Sequence, residues 1–354
     1  MQKAFTKEHT NIAKGFAIIL MLMYHLFEDR NEVIAMGVNY APLNAEVFSM
    51  ISKFGNVCVS VFVFLTAYGI GVGLFEKKDI SIKEAYSQAF KRFGKLMFQF
   101  FLLYVSVIVV MFPYFDLKAY YGGGWQGGVN MLTDALGLQF FYSENSLNMT
   151  WWYMELAYIL IFLIPALVWM TRKIGYAMLP VMYFLPFVIN MNFDVERYLF
   201  VATVGVCAAY GNWLGKGMEW KVPAIVKWLI ALVGLVAAVL LRQNYLIQEE
   251  YLPFVDAFIS LFIVWGTSVT IGMIPGIRKA FAFLGRHSMN IYLVHTFFYL
   301  SVWRVETYQF KYAILILLFL LVATLGYSVV LEGVKKLGAW IYRSIKKKTA
   351  KKSE

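Results

Sequence analysis

Lys14 and His25 stand eleven positions apart in the stretch NIAKGFAIILMLMYHLFEDR, Asn11 to Arg30. In an α-helix eleven residues turn back to within about 20° of the starting direction and advance about 16 Å. The two side chains therefore share one face of an otherwise apolar helix, a cation near one end and an imidazole near the other. Imidazole changes charge near neutral pH and is the side chain best suited to taking a proton there; an ammonium holds an anion. A snorkelling lysine and a packed histidine would give the same pattern, but ionisable groups inside an apolar span are functional by default. Two carboxylates compete for the histidine. Glu155 lies one turn into TWWYMELAYILIFLIP, Thr150 to Pro165, at a depth comparable with His25, whereas Glu28 follows His25 by three residues in the polar run EDRNE. Tyr292 and His295, three apart in FLGRHSMNIYLVHTFF, Phe283 to Phe298, are neighbours on one helix face and either bond in a core or line a channel. Arg92 and Lys95 in KRFGK, Lys91 to Lys95, offer phosphate-binding cations or topology signals. His9 and His287 fall at the surface, and Trp151, Trp152 and Tyr153 read as interface aromatics before sugar-stacking ones.

The elements that must position these groups are membrane spans. The chain has 354 residues, 60% hydrophobic and 18% aromatic, and apolar runs recur from end to end, so its solvent is mostly lipid. Ten stretches are long enough to cross: roughly 12–27, 51–75, 93–112, 151–171, 175–191, 198–215, 223–241, 252–274, 288–303 and 312–334. The fifth should bend at Pro180 and Pro186. An even number of spans leaves both termini on one side, and 25 of the 32 lysines and arginines fall on that side, so both termini are expected in the cytoplasm, with a basic tail over about 335–354. The connection from Pro113 to Thr150, between spans 3 and 4, is then outside, glycine-rich at its start and apolar enough later to cap a cavity. The net charge of +11 is a topology signal, and with no soluble basic domain to carry it a nucleic-acid partner is excluded. Two cysteines, Cys58 and Cys207, both in apolar runs, build no disulfide framework. There is no metal-ligand spacing, P-loop or serine elbow, no internal repeat, and no cleavable signal. The expectation is an all-α polytopic protein of about ten transmembrane helices, one integral domain over 1–354.

Across almost its whole length the sequence resembles acyltransferase family 3, membrane-bound acyl-CoA-dependent transferases that include sugar and polysaccharide O-acetyltransferases. The most specific match is a basic residue, ten intervening positions and a histidine in the first span, here Lys14 and His25. A pair of basic residues three apart at the start of the third span maps onto Arg92 and Lys95, with lysine where arginine is usual. The family's late GRxS…YLxH pattern maps onto Gly285, Arg286, Ser288, Tyr292 and His295. LTAYG, Leu65 to Gly69, stands where LSGYG or LSGF is common, and the fourth-span glutamate aligns loosely, which bears on Glu155 more than on the family.

The resemblance implies transfer of an acyl group, acetyl first among candidates, from cytoplasmic acyl-CoA to a hydroxyl of a carbohydrate, a cell-surface polysaccharide or its lipid-linked precursor, across the cell membrane. His25 would serve as general base or acyl carrier, with Glu155 or Glu28 stabilising its imidazolium. Lys14, Arg92 and Lys95 would hold the phosphates of CoA, the donor being a substrate and no cofactor being permanently bound. Ser288, Tyr292 and His295 would line or support the acyl channel. The alternative is a transporter or flippase using the same polar residues as a pathway, a reading weakened by the missing repeat.

Overall fold

A computed structural model describes residues 4–77, 79–143, 146–191, 193–243 and 251–350. The last four residues of the expected basic tail lie outside the described residues. The chain is helical, with no strand among the described residues. The principal helices are α1 (Lys7–Phe27), α2 (Cys58–Phe75), α3 (Ile82–Met111), α4 (Gly124–Ala135), α5 (Trp152–Ile174), α6 (Met178–Phe184), α7 (Phe193–Gly211), α8 (Ala224–Gln243), α9 (Leu252–Val269), α10 (Pro275–Thr296) and α11 (Ala313–Ala350).

Seven helical stretches are long and apolar enough to cross a membrane, eight when α7 and the short helix after it, bent by 58° at left-handed Asn212, count as one span. Two of the ten expected spans differ from the rest. The fifth is cut to the seven residues of α6: Pro180 sits in its first turn, where the missing N–H costs nothing, and the helix gives way to a 3-10 turn containing Pro186. The ninth, α10, is a full 22-residue helix that does not reach span-like apolarity, because it carries Arg278, Lys279, Arg286, His287 and Asn290. Partners on other helices satisfy several of these groups. Arg278 pairs with Glu8 at 3.3 Å, and the Ser328 hydroxyl of α11 lies 2.8 Å from His287 Nδ1. The Asn290 amide donates to that same Ser328 hydroxyl and to Glu332, at 2.9 and 3.0 Å.

The core is built from α1, α2, α7, α9 and α10, which pack on one another, while α3, α8 and α11 lie toward the outside of the bundle. Along α8, Ile225, Leu229, Leu232, Val236 and Leu240 are all exposed, a stripe that only lipid would cover. Inside the spans Thr171, Thr203, Thr267, Ser268 and Thr324 return their hydroxyls to carbonyls four residues back, which keeps these polar hydrogens bonded within the apolar interior.

Glycines set the closest approaches. A Cβ at Gly15 would fall on the Phe281 carbonyl of α10, one at Gly285 on the Asn11 carbonyl of α1, and one at Gly55 on the Leu20 carbonyl of α1. Helices in a bilayer gain contact mainly where small residues let backbones meet. Held by backbone contacts on two sides, α1 has one register, and that register places His25.

Candidate active site

His25 lies one turn beyond the Gly55 contact on α1, in the C-terminal half of the helix. Its ring stands 4.9 Å from that of His295 on α10, 6.4 Å from Tyr299 and 5.0 Å from Tyr24. Nδ1 of His25 is 3.8 Å from Oε1 of Glu28, and the histidine side chain is one-fifth exposed. The carboxylate at the histidine is therefore Glu28, one turn along the same helix. The charge that acts on Glu155 is instead Asp194 at the start of α7, and the described residues contain no ion pair between Glu155 and His25.

His295 is fully buried. Its Nδ1 lies 2.6 Å from the Tyr292 carbonyl oxygen. A carbonyl only accepts, so Nδ1 donates and Nε2 of the neutral ring is left as an acceptor; that atom is buried with no hydrogen-bond partner among the described residues. Tyr292 is buried against Tyr153, ring centroids 5.3 Å apart, and Tyr299 stacks on His295 at 5.8 Å. Ser288 returns its hydroxyl to the Gly285 carbonyl at 2.9 Å, within the helix and beside the Asn11 contact. The structure thus brings His25, Glu28, Tyr292 and His295 into one aromatic-walled cluster, and Ser288 supports the crossing of α1 and α10 one turn and more away.

Just after His295 the helix changes pitch. Residues Phe297–Ser301 form a π-turn, and the Phe297 N–H reaches the Val294 and His295 carbonyls rather than that of Leu293. The freed Leu293 carbonyl accepts the Trp151 indole N–H at 2.8 Å and the Asn148 amide at 3.1 Å. π-turns inside helices occur often at functional sites. Trp151, expected at the membrane interface, is instead fully buried and ties the 113–150 connection to the histidine cluster. Its cue in the sequence is chemical: a buried indole must find an acceptor.

The rest of the connection is organised by Asp134 at the end of α4. Its carboxylate accepts the Tyr121 hydroxyl at 2.6 Å, the Ser146 hydroxyl at 2.7 Å and the Leu147 N–H at 2.9 Å, with Tyr104 donating in turn to Tyr121 at 3.1 Å. Burial pushes the Asp134 carboxyl above the usual range, while these three donors pull it back. The connection is a folded cap.

At the other end of α1, Lys14 is half-buried, and the charge that acts on it is another cation, Lys7. Arg92 on α3 lies over Gly73 near the end of α2, its guanidinium 3.8 Å from where a Cβ would stand. Phe5 packs on Tyr68 of α2 at 5.4 Å, so the starts of α1 and α3 and the end of α2 share one end of the bundle. Arg92 and Lys95 are exposed there. The three cations lie toward one end of the bundle.

The family model for the acyltransferase domain of acyltransferase family 3 matches residues 10–333, nearly the whole chain, and the chain belongs to that family. No curated protein and no solved structure shows significant similarity to it.

Proposed function

We propose that this family 3 acyltransferase moves an acyl group, acetyl in the first instance, from acyl-CoA on the cytoplasmic side to a carbohydrate hydroxyl on the outer side of the cell membrane. The observation that carries this reading is the pairing of His25 with Glu28 at 3.8 Å on the same helix as Lys14, which lies about 16 Å further along and pairs with no carboxylate among the described residues. Lys14 holds the charged end of the donor, with Arg92 and Lys95 adding charge at the same surface, and the pantetheine arm runs outward along α1. At the outer end the acceptor oxygen attacks the thioester carbonyl while His25 takes its proton. The C–S bond then breaks, and the CoA thiolate leaves and collects a proton. Glu28 steadies the imidazolium; Glu155 is the competing candidate for that task. His295 and Tyr292 wall the reacting centre. In this reading both termini are cytoplasmic and the 113–150 connection is outside, as the basic residues require.

Incubating the purified protein with acetyl-labelled acetyl-CoA and a panel of glycans tests the reaction directly. Label on the glycan, dependent on His25, is the expected result. Translocation of glycan or donor with no covalent transfer would make the chain a transporter. Label retained on the protein after the acceptor is withheld, and lost in His25→Ala, would make His25 an acyl carrier. Topology is checked by labelling Ser143→Cys and Ser353→Cys in intact cells with an impermeant thiol reagent; reaction at position 353 alone reverses the orientation and the donor's side.

A further inference from the structure

The outer end of the bundle holds a cavity of about 470 Å³ lined by Asn56, Tyr183, Phe187, Arg197, Phe200 and Arg242 among others. Asn56 and Arg242 also line a shallower cavity that contains Tyr24, Glu28 and Lys53, so the two adjoin and the second reaches the partner of His25. The two arginines differ. Arg242 grips Asp256 with two bonds, at 2.7 and 3.1 Å, and Ser60 donates to the same carboxylate at 3.4 Å, so its charge is spent inside the wall. Arg197 lies over the Tyr198 ring at 5.6 Å, a contact that holds a guanidinium without using its N–H donors, and its Nε is buried with no hydrogen-bond partner. Among the described residues no carboxylate pairs with it within 4 Å. Asp194 lies within electrostatic reach, and Glu196 lines the same cavity but is exposed, where water screens it.

Beyond Arg197 the cavity becomes apolar. Phe200, one turn along α7, sits about 4.5 Å deeper in the bundle, and its ring packs on Tyr183 at 5.3 Å and Phe254 at 5.7 Å. Phe187 is 60% exposed at the mouth, and its neighbours Phe184 and Val188 are exposed as well, on the side where α6 falls short of a full span. Polarity thus runs in order: carboxylate and imidazole, free guanidinium, aromatic rings opening on the bilayer.

We propose that this cavity takes the anionic head of a membrane-anchored acceptor, a sugar joined through phosphate to a lipid chain, with the phosphate at Arg197 and the chain leaving past Phe187. The guanidinium fork matches phosphate geometry, the rings match a hydrocarbon chain, and a lipid-borne acceptor reaches the histidine sideways from the outer leaflet, beside the Asp134-pinned cap. The identity of the sugar hydroxyl as acceptor rests on the reading above; the lipid-phosphate site does not.

The test is calorimetric titration of the full chain in detergent with farnesyl phosphate, farnesol, inorganic phosphate and CoA. Farnesyl phosphate should bind about tenfold or more tightly than either farnesol or inorganic phosphate, and Arg197→Gln should remove that advantage while CoA affinity stays unchanged. Phe187→Ala, at an exposed position where folding is not at stake, should weaken farnesyl phosphate and leave inorganic phosphate alone. Equal affinity for farnesol and farnesyl phosphate, or for farnesyl phosphate and inorganic phosphate, overturns the proposal, as does wild-type affinity in Arg197→Gln. Failure of CoA to bind would strike the acyl-transfer reading instead and leave the lipid-phosphate comparison standing.

Discussion

The two ends of α1 are built on opposite plans. At the outer end His25 meets a carboxylate on its own helix, a second imidazole and two tyrosines, all supplied by the protein. At the N-terminal end, the inner one in the proposed orientation, Lys14 pairs with no carboxylate among the described residues and has Lys7 as its charged neighbour, with the exposed cations Arg92 and Lys95 toward the same end of the bundle. A group that does chemistry has its partners built in, so that no reorganisation is needed when charge develops. A group that holds a charged ligand is left unfinished, and the ligand completes it. The same contrast separates Arg242, neutralised by Asp256, from Arg197, which has no carboxylate within 4 Å among the described residues.

Changing the outer end should cost rate, and changing the inner end should cost donor affinity. The largest effect is expected for His25→Ala, a loss of acyl transfer of about a hundredfold to ten-thousandfold with CoA affinity intact, measured by steady-state kinetics beside calorimetry. Wild-type turnover in that variant would erase the distinction altogether. Next comes Lys14→Met: removing one charge-assisted contact worth about 1.5–3 kcal/mol should weaken CoA binding about tenfold to a hundredfold, with little change in kcat at saturating donor. A fall in kcat at unchanged donor affinity would move Lys14 into the chemistry. Glu28→Gln should lower kcat about tenfold, and Glu155→Gln, whose carboxylate faces Asp194, by only about twofold; the reverse ranking would make Glu155 the partner of His25. Arg92→Ala perturbs the inner end least, a loss of donor affinity of about threefold, since exposed charges are screened. No change there would leave Arg92 a topology signal alone.

Hydropathy and helical period made most of the architecture legible, because each is a property of one stretch of chain. The face shared by Lys14 and His25 needed only the 3.6-residue turn. What could not be read was which face meets which helix. Glu28 sits in a polar run that resembles a solvated helix end, and its closeness to His25 follows from α1 continuing through Phe27 and from the histidine ring turning that way. The loose family alignment of Glu155 points to a carboxylate at the right depth on another helix; depth is one coordinate, and azimuth around the bundle is another that a sequence does not supply. Trp151 fits an interfacial belt by composition, and only the Leu293 carbonyl freed by the π-turn explains its burial. Nothing in the sequence says that Arg242 has a carboxylate partner while Arg197, among the described residues, has none within 4 Å.

The polarity of α10 bears on how the protein is made. A helix carrying Arg278, Lys279, Arg286, His287 and Asn290 gains little by entering lipid alone. Its counterparts are far apart in the order of synthesis: Glu8 and the backbone of α1 have long since left the ribosome, whereas Ser328 and Glu332 have not yet been made. The membrane insertion machinery must therefore hand α10 to a groove kept open on α1, or hold it back until α11 follows. If α10 waits for α11, the half of the histidine cluster contributed by His295 forms only when the last helix arrives, and a chain truncated before α11 would have most of its spans and no assembled cluster.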